Sequence, residues 1–182
     1  MLQVLILMLQ TLFPKYIDAD TALLHASAAY DAEQETGVPA TLLLSIAYYE
    51  SRFNQFSFSR MECSGQDCTR VTGIWRQEKP PRKARPTFYC GVTQVGGWIS
   101  WDQCREIMLD VPGSYSMAAE HLLSWMKDPA CRRKRGDELT RCALMGYGGG
   151  YKAIEINASS YANRVMGTMR VFCRWVERNN NS

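Results

Sequence analysis

Apolar residues follow three successive patterns along the chain. After Asp18 and Asp20, the run TALLHASAAYDAEQETG places Leu23, Leu24, Ala28 and Ala29 at helical spacing, and Gly37 stands where a C-terminal cap belongs. Val38-Pro39 restarts the chain, because proline is tolerated in the first turn of a helix and not in its middle. ATLLLSIAYYES then reads as a second helix, apolar nearly all round and therefore buried. From residue 100 helical periodicity returns in SWDQCREIML, SYSMAAEHLLSWMK, DELTRCALMGY and ASSYANRVMGTMRVFCRWVER. In the last of these Tyr161, Val165, Met169, Phe172, Cys173 and Val176 share one face.

Between the helical regions the period shortens. Residues 55 to 70 read as a polar, cysteine-bearing loop, and TRVTGIW and PTFYCGVTQV as two extended runs rich in Val, Thr, Ile, Phe and Tyr. With the basic, proline-containing RQEKPPRKAR between them, these runs predict a small β-hairpin whose tip stands in solvent. The opening MLQVLILMLQTLF is apolar, too short to span a bilayer, and without the positive stretch of a signal peptide. Ala26-Ser27-Ala28 matches a cleavage-site pattern, but a cut there would split the first helix. Residues 1 to 13 are expected to pack on the domain or on a partner, with an uncleaved membrane signal as the lesser alternative. The pattern as a whole is mainly α (α+β): an apolar N-terminal segment over 1–18 and one domain over 19–182, with no repeat and no linker.

Composition adds little to this, and cysteine adds more. A chain of 182 residues, 46% hydrophobic and 21% charged, belongs with globular proteins. The net charge of +3 gathers in Arg82-Lys83-Ala84-Arg85 and Arg132-Arg133-Lys134-Arg135, which read as solvated loops. Such clusters also suit a polyanion, nucleic acid or an anionic bacterial wall. They lack the interleaved aromatics of a single-strand binder, so nucleic acid is not expected as a partner. Seven cysteines without a Cys-x-x-Cys pair or zinc spacing point to disulfides in an oxidising compartment rather than to a metal. Cys63 with Cys68 and Cys131 with Cys142 are the nearest in sequence, the connectivity stays open, and so does a reduced history.

The candidate chemistry centres on Glu50. Leu43, Ile46 and Ala47 lie seven, four and three residues before it, so Glu50 shares an apolar helix face. If that face packs inward, desolvation penalises the carboxylate and raises its pKa toward that of a general acid, and the negative end of the helix dipole adds to the effect. On position alone, an exposed glutamate at a frayed helix end fits as well. Its company favours the pocket: Glu50-Ser51-Arg52-Phe53-Asn54, then Gly91-Val92-Thr93-Gln94, then Gly146-Tyr147-Gly148-Gly149-Gly150, then Tyr161 with Val165, in that order.

Taken together these segments resemble the soluble-type lytic transglycosylases of glycoside hydrolase family 23, relatives of goose-type lysozyme. LLLSIAYYESRFN matches the family's helix ending in Glu-Ser-x-Phe-Asn, and Gly91 and Gln94 match the outer positions of Gly-Leu-Met-Gln. Tyr147 and Gly149 match Ala-Tyr-Asn-x-Gly, and Tyr161 and Val165 the closing helix. Two positions depart from the pattern, Ser114 where an Asn is usual and Gly148 for the Asn of Ala-Tyr-Asn. Residues 55–89 look like a cysteine-bearing insertion relative to shorter members.

The resemblance implies a lysozyme-like fold with a small β-hairpin beside the active-site cleft, and cleavage of the MurNAc-β-1,4-GlcNAc bond of peptidoglycan without water. Glu50 would act as acid and then base, leaving a 1,6-anhydro end and needing neither metal nor cofactor. Gln94 would hydrogen-bond substrate, Ser51 sit beside the acid, Tyr147 bring its hydroxyl near Glu50, and Tyr161 line the cleft. Trp98 and Trp101, just after Gln94, are the tryptophans best placed for the groove. His25 and His121 lack a partner motif and read as packed or surface residues. Ordinary hydrolysis needs a second carboxylate. Glu62, Asp67 and Asp102 are the candidates, none at a motif position and each expected at the surface. Hydrolytic, lysozyme-like cleavage and a catalytically idle wall-binding or virion module remain the alternatives. The expected setting is the periplasm, the exterior of a bacterium, or a phage virion or secretion assembly.

Overall fold

The computed structural model describes residues 1–64, 67–75, 88–97 and 100–179, with side chains for all of these but 60–64, 67–71 and 97. Among them are α1 (Leu2–Leu12), α2 (Ala19–Thr36), α3 (Ala40–Ser51), α4 (Trp101–Leu109), α5 (Val111–Lys127), α6 (Gly136–Glu155) and α7 (Ser160–Asn179). Four strands, β1 (Ser57–Ser64), β2 (Asp67–Ile74), β3 (Phe88–Cys90) and β4 (Val95–Gly97), form one antiparallel sheet in the order β2-β1-β3-β4. The chain is thus mainly helical with a small sheet, and no helix among the described residues is long and apolar enough to cross a membrane.

Local signals set the helix limits. Asp18 caps α2 by accepting from the Thr21 N–H at 2.8 Å, and Gly37, at φ 75°, closes it. The buried face of α2 is made of alanines, Ala22, Ala26, Ala28, Ala29 and Ala32, together with His25. Small side chains bring α2 close to α5, and Leu23 and Leu24 are left exposed. α3 is the central helix, buried without interruption from Leu42 to Ala47, and α7 covers it with Val165, Met166, Phe172 and Val176. The N-terminal segment belongs to the same core, since Leu5, Met8 and Leu9 of α1 are fully buried in it.

The end of α3 positions Glu50. Arg52 and Phe53, at φ 56° and 64°, are consecutive left-handed residues without being glycines. Each such residue costs about 1–2 kcal/mol. Phe53 offsets this by burying its ring beside Phe13, Tyr48 and His25, with centroids 5.4, 5.9 and 5.3 Å away. The Arg52 guanidinium folds back onto the Tyr48 ring, 4.2 Å from its centroid, and donates to the Tyr48 carbonyl at 2.6 Å. The chain therefore turns sharply just past the glutamate and leaves it at the lip of the helical body.

The sheet corrects the predicted hairpin. Part of the stretch read as a polar loop is β1, and β2 pairs with β1 from Ser57↔Ile74 to Ser64↔Asp67. β1 also pairs with β3, so the two runs expected to face each other lie on either side of it. β1 (SFSRMECS) has few of the branched and aromatic residues that favour strands, and pairing on both edges makes it one. PTFYCGVTQV is not a single strand either: Gly91–Gln94 turns between β3 and β4. The RQEKPPRKAR tip lies outside the described residues.

Under the sheet a second, smaller core gathers Phe88, Cys90, Cys104 and Met108, and the Cys90–Cys104 disulfide joins β3 to α4. A second disulfide, Cys131–Cys142, staples the α5–α6 connection, and Cys173 is a free thiol. In that connection Arg132, Arg133 and Arg135 are exposed, as expected of a solvated loop.

Candidate functional site

Glu50 stands where two cavities meet. One, of about 520 Å³, runs toward α5 and α6 and is lined by Glu50, Tyr89, Gln94, Gly96, His121, Trp125, Tyr147 and the glycines at 146 and 148–150. The other, of about 340 Å³, runs over the β1–β2 hairpin and is lined by Glu50, Gln94, Ser57, Phe58, Thr72, Gly73 and Ile74. Glu50 and Gln94 belong to both, so they stand between the two. Glu50 itself is half-buried.

The turn Gly91–Gln94 forms the floor, and four elements pin it. Gln94, at φ 52°, donates from Nε2 to the Ser57 carbonyl on β1 at 2.8 Å and to Gly91 at 3.0 Å. Both amide protons are thereby used, and Oε1 is the polar atom this side chain has left. Thr93 is buried and meets Ser114 of α5, its hydroxyl 2.9 Å from the carbonyl and 2.8 Å from Oγ. Tyr147 of α6 donates to the Thr93 carbonyl at 2.7 Å. The Ser51 hydroxyl is shared between the carbonyls of Ala47 at 3.0 Å and Val92 at 2.8 Å. It thus ties the Glu50 helix to the turn and does not point into the groove. Gly91 is required twice over, by its φ of 74° and because a Cβ there would lie 3.0 Å from Ile107 Cγ2 and Ser114 Oγ.

No family model, no curated protein and no solved structure matches this chain. What the site can do rests on its own geometry.

Two phenols flank the carboxylate. Tyr147 keeps part of its ring in the cleft while its hydroxyl end is enclosed. Burial, and next the Glu50 charge, raise its pKa well above the usual tyrosine value, against a smaller lowering by the Thr93 bond. The Tyr161 ring stacks nearly parallel to that of Tyr147, with centroids 6.5 Å apart, and meets Tyr49 edge-on at 5.1 Å. Its hydroxyl is buried and closes no hydrogen bond of ordinary length. Burial raises its pKa first, then the charge of Glu50, whose pull as an acceptor also adds. Both hydroxyls stay protonated: Tyr147 gives its proton to the Thr93 carbonyl, and Tyr161 turns its own toward the Glu50 carboxylate.

His121 and Trp125, which the sequence reading did not single out for the groove, stand on its wall. They lie one helical turn apart on α5, and the Trp125 indole N–H donates to His121 Nε2 at 3.0 Å. Burial holds the His121 pKa below 6.5, in keeping with a neutral ring that accepts. The His121 ring lies 5.0 Å from that of Tyr147. The spacing of four residues was a readable signal, and so was Gly146, whose backbone lies directly under Trp125.

The remaining expected residues are spread differently. Trp101 does not line the groove; it packs between Phe58 and Phe88, both at 5.3 Å, because the Cys90–Cys104 link draws α4 under the sheet. Trp98 lies outside the described residues, as do the side chains of Glu62 and Asp67. Asp102 is 84% exposed and pairs with Arg105 at 3.6 Å. The departure at Gly148 has a packing reason, since a Cβ there would come 2.8 Å from the Tyr161 ring. Among the described residues no cluster of three or more His, Cys, Asp or Glu gathers as a metal site. The arrangement offers one carboxylate among the described lining residues, where the two cavities meet, with the neutral Tyr161 hydroxyl behind it. It is suited to giving a proton to a bond in an extended ligand and taking one back.

Proposed function

We propose that this chain is a peptidoglycan lytic transglycosylase with a lysozyme-like fold, cleaving the β-1,4 bond between N-acetylmuramic acid and N-acetylglucosamine with Glu50 alone as acid and base. The carrying observation is that Glu50 is the one carboxylate among the described residues lining the two cavities and stands at their junction. A polymer laid through the groove presents a bond to Glu50 with sugar units on either side. The Glu50 carboxyl gives its proton to the glycosidic oxygen as the C1–O bond breaks. As carboxylate it then takes the proton of the muramoyl 6-hydroxyl, whose oxygen closes on C1. That hydroxyl is part of the substrate, so its effective concentration is high and no second carboxylate is needed. The Tyr161 hydroxyl stabilises the carboxylate between the two transfers, and Tyr147 holds the turn beside it through the Thr93 carbonyl. Two disulfides suit an oxidising setting such as the periplasm or the cell exterior, and a place in a virion or a secretion assembly is part of the proposal.

The test is clearing of purified peptidoglycan by the wild type and by Glu50→Gln. The wild type clears and the variant loses activity by roughly a thousand-fold or more, the scale of an essential proton donor. Equal clearing by both, or by neither, removes the assignment. Mass spectrometry of the products reads the reaction type: 1,6-anhydro ends are lighter by one water than the reducing ends that a hydrolytic muramidase would leave.

A further inference from the structure

The larger cavity has a wall that proton transfer at Glu50 does not use. Trp125 lies across the backbone of α6, so close that a Cβ on Gly146 would fall 2.3, 2.5 and 2.7 Å from three of its ring carbons. Its N–H is held by His121 at 3.0 Å, and Tyr151 meets it edge-on with centroids 5.0 Å apart. The Tyr151 hydroxyl in turn donates to the Asp128 carboxylate. The indole is thus fixed on several sides, yet it is half-buried and lines the cavity.

Beside it, from Gly148 to Gly150, α6 offers only backbone. Gly148 and Gly149 are exposed, and Gly150, at φ 65° and ψ −161°, breaks the helix within the cavity wall. A fixed aromatic surface next to bare peptide groups suits a ligand with one apolar face and a polar rim. A β-linked hexopyranose has that form, with axial C–H bonds on its face and equatorial hydroxyl and acetamido groups at its edge. No Lys or Arg is among the described lining residues, which disfavours a phosphate-bearing ligand here.

We propose that Trp125 is the stacking platform for one N-acetylaminosugar ring of the glycan, on the α6 side of Glu50, and that His121 is the positioning residue that fixes the indole plane. This rests on the reading of the groove as a glycan site and adds the subsite that grips the chain beside the cleaved bond.

Chitotetraose titrated into Glu50→Gln protein, alone and combined with changes at 125 and 121, tests it. With melting temperature as a check on folding, Trp125→Ala raises the Kd roughly ten-fold. In protein that keeps Glu50, the same change raises the KM for soluble peptidoglycan strands by a similar factor. His121→Ala weakens binding less, and His121→Gln, which restores an acceptor for the indole N–H, recovers it. Trp125→Phe, the milder replacement, diminishes the change in indole emission on binding. Unchanged Kd and KM in Trp125→Ala, or an undiminished emission change in Trp125→Phe, overturns the subsite and leaves the Glu50 chemistry standing. Failure of the parent protein to bind the tetramer and of the wild type to clear peptidoglycan overturns the glycan reading itself, and the subsite with it.

Discussion

Tyr147 and Tyr161 carry the same hydroxyl in opposite circumstances, and that contrast can be measured. Tyr147 donates to Thr93 and so holds the turn that bears Gln94, whereas the buried Tyr161 hydroxyl closes no hydrogen bond of ordinary length and faces the Glu50 carboxylate. Tyr147→Phe leaves the Thr93 carbonyl unpaired and should cost about 1 kcal/mol in urea unfolding, with lower turnover. Tyr161→Phe removes a buried hydroxyl that closes no ordinary hydrogen bond, so stability should change little while turnover falls. His25 sets a pH limit on the fold. Buried between α2 and α5, with Nδ1 3.1 Å from the Tyr115 hydroxyl, it has its pKa lowered to about 4 by desolvation, against a smaller raising effect of the Phe53 backbone. Above pH 6.5 the ring is neutral both folded and unfolded, and stability is full. As the pH falls from 6.5 toward 4, the unfolded chain takes up a proton that the folded one refuses. The loss should reach roughly 3 kcal/mol, read by denaturant melts across that range, and His25→Gln should flatten the slope. Glu50 and Gln94 were legible because local motif and helix face place them. The part played by His25 was not, since Tyr115, which fixes it, is 90 residues away.

At the scale of elements, the glycines of α6 serve different ends. Gly146 is small because Trp125 occupies the space, and Gly150 is glycine because its backbone is left-handed with nothing nearby. Gly146→Ala should therefore displace the indole and lower stability by about 2 kcal/mol, as overpacking does. Gly150→Ala meets only backbone strain, in a region of φ and ψ essentially confined to glycine, and should cost about 1–3 kcal/mol. Melts of the two variants beside chitotetraose binding check this: the first should lose binding out of proportion to its stability. α2 to α5 and α7 were readable to within a few residues because cap and period agree, as at Asp18 and Gly37, whereas α6 runs on past Tyr147 to Glu155 and α1 was read only as an apolar segment. The strands were readable in part: most of TRVTGIW falls on β2 and FYC on β3, but β1 was read as loop. β1 owes its conformation to β2 and β3, and its own residues gave a poor signal.

At the scale of the molecule there are two cores, and a covalent link stiffens the lesser one. Cys90–Cys104 closes a separation of 14 residues between β3 and α4, worth about 3 kcal/mol by the loop-entropy estimate. Reduction should speed hydrogen exchange in β3 and α4 first, while α3 keeps its protection, as mass spectrometry of pulse-labelled peptides would register. Sheet order was beyond the sequence because pairing partners lie far apart and no local pattern names them. The opening helix has the widest reach. Its Leu5, Met8 and Leu9 fill the interior, each worth about 2 kcal/mol, and just beyond it Phe13 lies 4.5 Å from Tyr48 and 5.6 Å from Phe172, beneath the bend that holds the acid. The same greasy string cannot sit in lipid and in this interior at once. Anything that draws it out of the interior removes the support beneath the bend that holds Glu50.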